Sequence, residues 1–404
     1  NVEVFTKTVG EESDILSKEM YIFEDRGKST LALRPEGTAS VCRAYIEHNM
    51  INLSQPVKLA YFGPMFRYDR PQAGRYRQLW QFGAESIGIN NPESDAELMY
   101  LQNYIFNKLE VKDKKLIINS LGGADTRKKF EKEFKDFIKD KFHDLSDDSK
   151  RRYEINPLRI FDSKETIDQE IIEDAPTILD FLNKDEEAHF NQVTQLLESM
   201  KIQYVIDSKI VRGLDYYTDT VWEFEPKTES SQSTIGAGGR YNNLIKKLSG
   251  KDIPGVGFAT GIERTIAVSQ KKYSQKTGIK ALKLKYNNVL GYFVEVTAAQ
   301  AAKVPKSFAH RQTLAKAPLG HIRGDAQGRI HAHIGRDQQL FELFEHIVIQ
   351  HTPHNRGRGA ASHQAAHQTG LGRCRLGGGG HQIGGHGGHR LAQRHGLGRI
   401  LFIR

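Results

Sequence analysis

Two stretches in the first quarter of the chain alternate apolar and polar positions: VKLAYFGPMFRYD (57 to 69) and RYRQLWQFGAESIG (75 to 88). Both are rich in aromatic and apolar strand formers, and the RPQAG between them is a Pro/Gly turn, so the pattern predicts an antiparallel hairpin with a long charged loop. Counting in twos places Arg77, Leu79, Gln81, Gly83 and Glu85 on one face and Trp80, Phe82 and Ala84 on the other. A half-solvated face would explain the polar set. Gly83 between Gln81 and Glu85 argues instead for close approach of a ligand or another backbone.

Helical spacing takes over downstream. NNPESDAELMYLQNYIFNKLE offers Asn91 as a cap, Pro92 at the first helical position, acids in the first turn, and a stripe of Leu98, Leu101, Ile105 and Leu109. That stripe reads as core. From 125 to 205 the chain is rich in Lys, Asp and Glu with helical periodicity; Phe130, Phe134, Phe137 and Ile138 form its apolar stripe, and PTILDFL (176 to 182) begins a further helix. Its charge runs read as solvated faces. Residues 206 to 270 return to strand-like, glycine-rich patterning.

Composition changes the picture at the far end. The net charge is +9, yet residues 1 to 285 hold 43 Lys+Arg against 44 Asp+Glu, a balance of −1, while the last 119 residues hold 15 against 5, a balance of +10. The basicity therefore belongs to 286 to 404, which also carry 13 of the 16 histidines and run into GRCRLGGGGHQIGGHGGHRLAQRHGLGR. Little there can build a packed core. An out-of-frame continuation accounts for so abrupt a change; a disordered tail and a metal- or RNA-binding tract are the other two readings. Cys42 and Cys374 stand far apart without metal-ligand spacing, which speaks against a disulfide framework and for a reducing compartment. No metal site is expected. No run of roughly 18 apolar residues and no secretory leader is visible, so the expectation is a cytoplasmic protein without a membrane partner.

Candidate chemistry gathers in LRPEGTA (33 to 39), the hairpin loop, VRGLDYYTDTVWEFE (211 to 225) and GAGGRYNNL...GVGFATGIERT (236 to 265). Thr38 is placed to cap the helix TASVCRAYIEH, with Glu36 beside its N-terminus. Arg67, Arg75, Arg212 and Arg264 come from separate segments and suit a polyphosphate, because a guanidinium is a fixed planar donor fork. No GxxxxGK[ST] string occurs, so side chains rather than a backbone cradle would grip phosphate.

These strings resemble, in order, the signature segments of the bacterial histidyl-tRNA synthetase family, class II aminoacyl-tRNA synthetases. The resemblance runs from Asn1 to about Thr277, and the VRGLDYY and GGRY blocks are specific to the histidine enzymes. It implies an α+β fold: a class II catalytic domain, an antiparallel sheet flanked by helices. The domains expected are a first catalytic part at 1-124 with motif 2 but without motif 1, a helical insertion at 125-205, and a second catalytic part with the histidine motifs and motif 3 at 206-285. The segment 286-404 stands where an α/β anticodon-binding domain would be. The resemblance further implies ATP with its accompanying Mg2+, L-histidine and the tRNA for histidine as partners, and a homodimer, which the missing first motif puts in question.

Carried over position by position, Arg67 holds the α-phosphate, Arg75 and Arg264 bracket the γ-phosphate, and Phe82 lies near adenine. Arg212 lies between substrate carboxylate and α-phosphate. Glu36, Thr38 and Gln81 receive the amino group of histidine; Glu85 and Tyr217, with Tyr216 beside them, read the imidazole. A catalytically silent, histidine-binding paralogue that regulates ATP phosphoribosyltransferase is the alternative within the fold, and a basic RNA-binding protein the alternative outside it. The four arginines favour the enzyme over the first, and the near-neutral body and the character of the tail weigh against the second.

Overall fold

The computed structural model describes residues 2–8, 18–69, 76–211, 213–227, 234–287, 291–297, 300, 303–304, 308–313, 329–334 and 400–403. Arg75 and Arg212, and most of the segment 286-404, lie outside the described residues. The elements divide into two compact units, residues 1–104, 113–262 and 364–404 in the first, and 105–112 and 263–363 in the second.

The first unit opens with α1 (Glu3–Thr6), the short hairpin β1 (Ile22–Glu24) and β2 (Thr30–Ala32), and α2 (Thr38–Glu47). The predicted hairpin follows as β3 (Val57–Phe66) and β4 (Gln78–Ile87), paired antiparallel from Val57 opposite Ile87 to Phe66 opposite Gln78. Next comes α3 (Pro92–Lys108), where the Asn91 side chain accepts from the Ser94 backbone N–H at 3.2 Å, as the sequence pattern expects. β5 (Lys114–Ser120) leads into the helical stretch α4 (Ala124–Ile138), α5 (Asp147–Ile155), α6 (Thr166–Ile171) and α7 (Lys184–Ser199). Phe130, Phe134 and Ile138 are buried along α4, whereas the helix expected from 176 is only a 3₁₀ turn, Ile178–Phe181, closed by a Thr177–Asp180 capping box. β6 (Tyr204–Ile206), β7 (Thr218–Pro226), β8 (Gly236–Arg240), α8 (Leu244–Ser249) and β9 (Gly255–Gly261) complete the run.

The central sheet is not purely antiparallel. Its order ends in β3-β4-β9-β8-β7-β5-β6, antiparallel except where β6 lies parallel to β5; a strand at Ile400–Ile403 adds a parallel partner on the β3 side. A mixed sheet flanked by helices is thus the observed architecture. The helix-backed face is closed by aromatic and polar contacts: Phe62 stacks on Trp80 at 5.0 Å, Phe82 meets Phe258 at 6.1 Å, and the Trp222 indole donates to Gln102 of α3 at 2.8 Å.

The second unit holds α9 (Ile262–Thr277) from residue 263 onward. Lys272 pairs there with Glu110 at 3.3 Å. An antiparallel sheet follows, with β10 (Lys283–Asn287), β11 (Gly291–Thr297), β12 (Phe308–Thr313) and β13 (Arg329–Ile334) in the order β10-β11-β13-β12; the Ile400–Ile403 strand of the first unit is β14. Among the described residues no helix is long and apolar enough to cross a membrane.

Beneath the sheet, Arg240 and Asp95 are both fully buried and joined at 2.7 Å; Asn90 and the Asn91 carbonyl accept from the same guanidinium, and Thr220 and His189 of α7 meet the same carboxylate. This network ties α3, α7, β7 and β8 together. Removing one partner of a buried pair strands the other's charge, so Asp95→Ala is expected to cost about 3–5 kcal/mol in urea unfolding, most of it from the orphaned Arg240.

Candidate active site

The opposite face of the same sheet carries the polar residues. β4 presents Gln81, Gly83 and Glu85 there, and their register neighbours on β9 are Gly261, Ala259 and Gly257, followed by Ala237 and Gly239 on β8. The floor is therefore almost free of side chains, and the few large groups above it occupy the cleared space. A Cβ at Gly83 would overlap the Tyr61 ring, and one at Gly257 would overlap the Glu85 carboxylate. A Cβ at Gly239 would come within 2.7 Å of the Tyr217 ring. The face is not half-solvated, because Glu85 is only 1% exposed.

Two carboxylates sit in this pocket. Glu36 accepts the backbone N–H groups of Thr38 at 2.7 Å and Ala39 at 2.9 Å, so Glu36 rather than Thr38 caps α2. Freed from capping, the Thr38 hydroxyl donates to Glu85 at 2.8 Å, and the Tyr241 hydroxyl donates to the other Glu85 oxygen at 2.7 Å. Burial pushes the Glu85 carboxyl up to about 8; the two hydroxyl donors oppose the shift and the neighbouring Glu36 adds to it. Glu36 is raised as well by burial, with the Thr38 and Ala39 amides and the Arg67 charge acting against the shift. Around the acids stand Tyr216, 3.4 Å from Glu36, with Tyr217 at 4.8 Å and Tyr241 at 6.0 Å between ring centroids. Burial raises the Tyr61, Tyr216 and Tyr241 hydroxyls well above the ordinary range, so they act as donors and not as charges.

The pocket has unsatisfied acceptors. Gln81 Oε1 and the Tyr61 hydroxyl are buried without hydrogen-bond partners. Together with two buried acids served by hydroxyls and two backbone amides, they leave acceptors open for N–H donors, which fits a small cation carrying several N–H groups.

Of the residues expected from sequence, the structure brings together Glu36, Thr38, Glu85 and Tyr216, with Gln81 and Tyr217 on the same face and Arg67 near enough for its charge to act on Glu36. Arg67 itself donates from Nε to the Pro35 carbonyl at 2.9 Å. Phe82 is not brought in: its side chain alternates to the helix-backed face and packs on Phe258, whereas Leu79, half-buried, shares the Gln81 face. Arg264 lies in the first turn of α9, in the second unit. Sequence reasoning missed Tyr61 and Tyr241. Alternation had the signal for both, since Tyr61 lies opposite Gly83 and Tyr241 follows Gly239 by two. No cluster of three or more His, Cys, Asp or Glu able to hold a metal occurs among the described residues.

The sequence profile described as histidyl-tRNA synthetase matches residues 2–265. The chain belongs to the histidyl-tRNA synthetase family. A histidine–tRNA ligase of Protochlamydia amoebophila is 50% identical over 264 residues, 65% of this chain and 62% of that protein. One from Lactococcus lactis subsp. cremoris is 42% identical over 320 residues, 77% of this chain and 74% of its own length. The chain thus spans less than two thirds of the first of these relatives. The solved apo histidyl-tRNA synthetase of S. aureus superposes with a TM-score of 0.52 at 38% identity, covering 69% of this chain and 68% of that one. A second profile, MutS family domain IV, matches only residues 259–318.

The buried acid gives this synthetase-family pocket a pH signature. Glu85 has its folded-state value raised from 4.5 to about 8, so it favours the folded state fully below pH 4.5 and that contribution is lost as pH rises toward 8. Glu85→Gln removes the dependence, and the fall in Tm between pH 5 and pH 8.5 is expected to be smaller than in the wild type. Gly257→Ala should displace the Glu85 carboxylate from the Thr38 and Tyr241 hydroxyls and lower Tm in thermal unfolding; an unchanged Tm would show that the cleared floor is not required.

Proposed function

We propose that the chain activates L-histidine with ATP and transfers it to the tRNA for histidine. The observation that carries this reading is the donor-poor, buried pocket of Glu36, Glu85 and Gln81. A histidine ammonium group and an imidazole N–H supply what these acceptors lack. In this reading Glu36, Thr38 and Gln81 face the ammonium group, while Glu85, Tyr216 and Tyr217 face the imidazole. Tyr241 holds Glu85 in place to do so. A site built to pair a substrate N–H rejects analogues without it by roughly 10⁴-fold or more, which suits a ligase that must not mischarge.

The histidine carboxylate attacks the α-phosphorus in line, the bond to the bridging oxygen breaks, and pyrophosphate leaves; Mg2+ accompanying ATP would offset the charge on its phosphates. The tRNA 3′-terminal ribose hydroxyl then attacks the acyl carbon of the adenylate and AMP departs. No general base is needed for the first step, because the nucleophile is already ionised; positioning and charge stabilisation supply the rate. Arg67 is assigned to the α-phosphate, Arg212 to the meeting point of carboxylate and α-phosphate, and Arg75 and Arg264 to the γ-phosphate. Leu79 replaces Phe82 as the apolar surface for adenine. A homodimer in the cytoplasm is the working form proposed.

Histidine-dependent exchange of labelled pyrophosphate into ATP tests the reading. The wild type should exchange, and Arg212→Ala should lose about 100-fold or more in kcat while still binding histidine. A folded protein that binds histidine but exchanges nothing would overturn the ligase reading and leave a histidine-binding regulatory protein in its place.

A further inference from the structure

The helical stretch after β5 makes contacts that the proposed chemistry does not use. Arg127, in the first turn of α4, has Nε and Nη2 buried without hydrogen-bond partners. Burial works against its charge, and the carboxylates of Glu131, Asp215 and Asp219 support it. Asp215 and Asp219 bracket Tyr216 and Tyr217 in sequence. The same loop is touched from a second direction. Asn156 donates from Nδ2 to Asp215 at 3.3 Å, and its own Oδ1 is buried without a partner. Arg159 lies against Gly213: a Cβ there would come within 3.5 Å of Nη1. Arg159 is held in turn by Asp162 at 3.1 Å, and its carbonyl accepts from Arg152 at 3.0 Å. Backbone bonds close the frame, with Leu121 N–H donating to the Asp219 carbonyl at 2.8 Å and Asp219 N–H to the Gly122 carbonyl at 3.1 Å.

We propose that Arg127, with Asn156 and Arg159, forms a positioning clamp that holds the loop from 213 to 219, next in sequence to Arg212, and so sets the placement of Tyr216 and Tyr217. Arg127 is a positioning residue here, acting through Asp215 and Asp219. A guanidinium buried with two N–H groups unpaired weakens the fold, since desolvated donors without acceptors carry their full penalty. A residue serving stability alone would have those groups paired. Its charge acts alongside direct contacts to the same two acids: Asp215 accepts from Asn156, and Asp219 accepts from Asn242 Nδ2 at 3.0 Å. The consequence for chemistry is indirect, because a small misplacement of an aligned group costs rate far more than it costs binding.

This inference rests on the proposed histidine activation, so the test carries one arm that needs no activity. Arg127→Met keeps the apolar stem and removes the charge. In that variant kcat for pyrophosphate exchange is expected to fall about tenfold or more, while KM for histidine moves much less. Arg127→Lys should recover part of the loss, and Arg127→Met combined with Asp215→Asn should cost less than the sum of the two. In the activity-free arm, amide hydrogen exchange across 213 to 217 should quicken in Arg127→Met. Unchanged exchange protection there, or a kcat equal to wild type, would overturn the clamp. If the wild type shows no pyrophosphate exchange, the enzymatic reading fails, and the protection of 213 to 217 alone decides whether the clamp exists.

Discussion

Two carboxylates held out of water on one face of a sheet constrain everything around them. Glu36 and Glu85 each need donors, and the fold supplies them from different sources: the first-turn amides of α2 for Glu36, and the hydroxyls of Thr38 and Tyr241 for Glu85. Neutral hydroxyls are used for Glu85, so burial still outweighs them and holds its carboxyl up at about 8. A pocket arranged in this way stays receptive to a cation, whereas a buried arginine partner would have quenched it. Glycines are the steric counterpart of this choice, because side chains at 83 and 257 would fill the room that Tyr61 and Glu85 occupy.

The sheet divides labour between its faces. One face keeps acceptors open to a ligand; the other pairs its buried charges. On the far face Arg240 and Asp95 neutralise each other within the core, with Asn90, Thr220 and His189 filling the remaining positions. Neighbouring residues Arg240 and Tyr241 therefore serve opposite purposes. The guanidinium of the GGRY block turns down to lock α3, and the phenol turns up to Glu85.

Local periodicity carried much of this information. The hairpin, its register and the polar face of β4 were legible because strand alternation is strict and the turn is marked by Pro and Gly. Asn91 was legible as a cap for the same local reason. Thr38 was misjudged because capping preference scores the residue type: with Glu85 available across 47 residues of sequence, the hydroxyl served a long-range acceptor and Glu36 took the amides. Phe82 shows the two kinds of reading pulling apart: the resemblance set it near adenine, while alternation places it on the helix-backed face against Phe258. Tertiary pairings such as Asp95 with Arg240, or Arg127 near Asp215, have no short-range signature at all. The parallel β5–β6 pairing was equally hidden, since its partners are separated by the whole helical stretch.

One irregularity remains in β7. Between Thr218, which faces Arg240, and Val221, which faces Gly239, the strand gains two residues on its partner, and Asp219 takes a left-handed φ of 46° to accommodate them. Because the surplus is even, the strand's inside and outside are preserved across it: Trp222 still meets α3, while Tyr217 still meets Gly239. Asp219 and Thr220 have contacts of their own, with Asn242 and Asp95, but the parity depends on the length of the segment alone. A single residue added or lost there would exchange the tyrosine face for the tryptophan face.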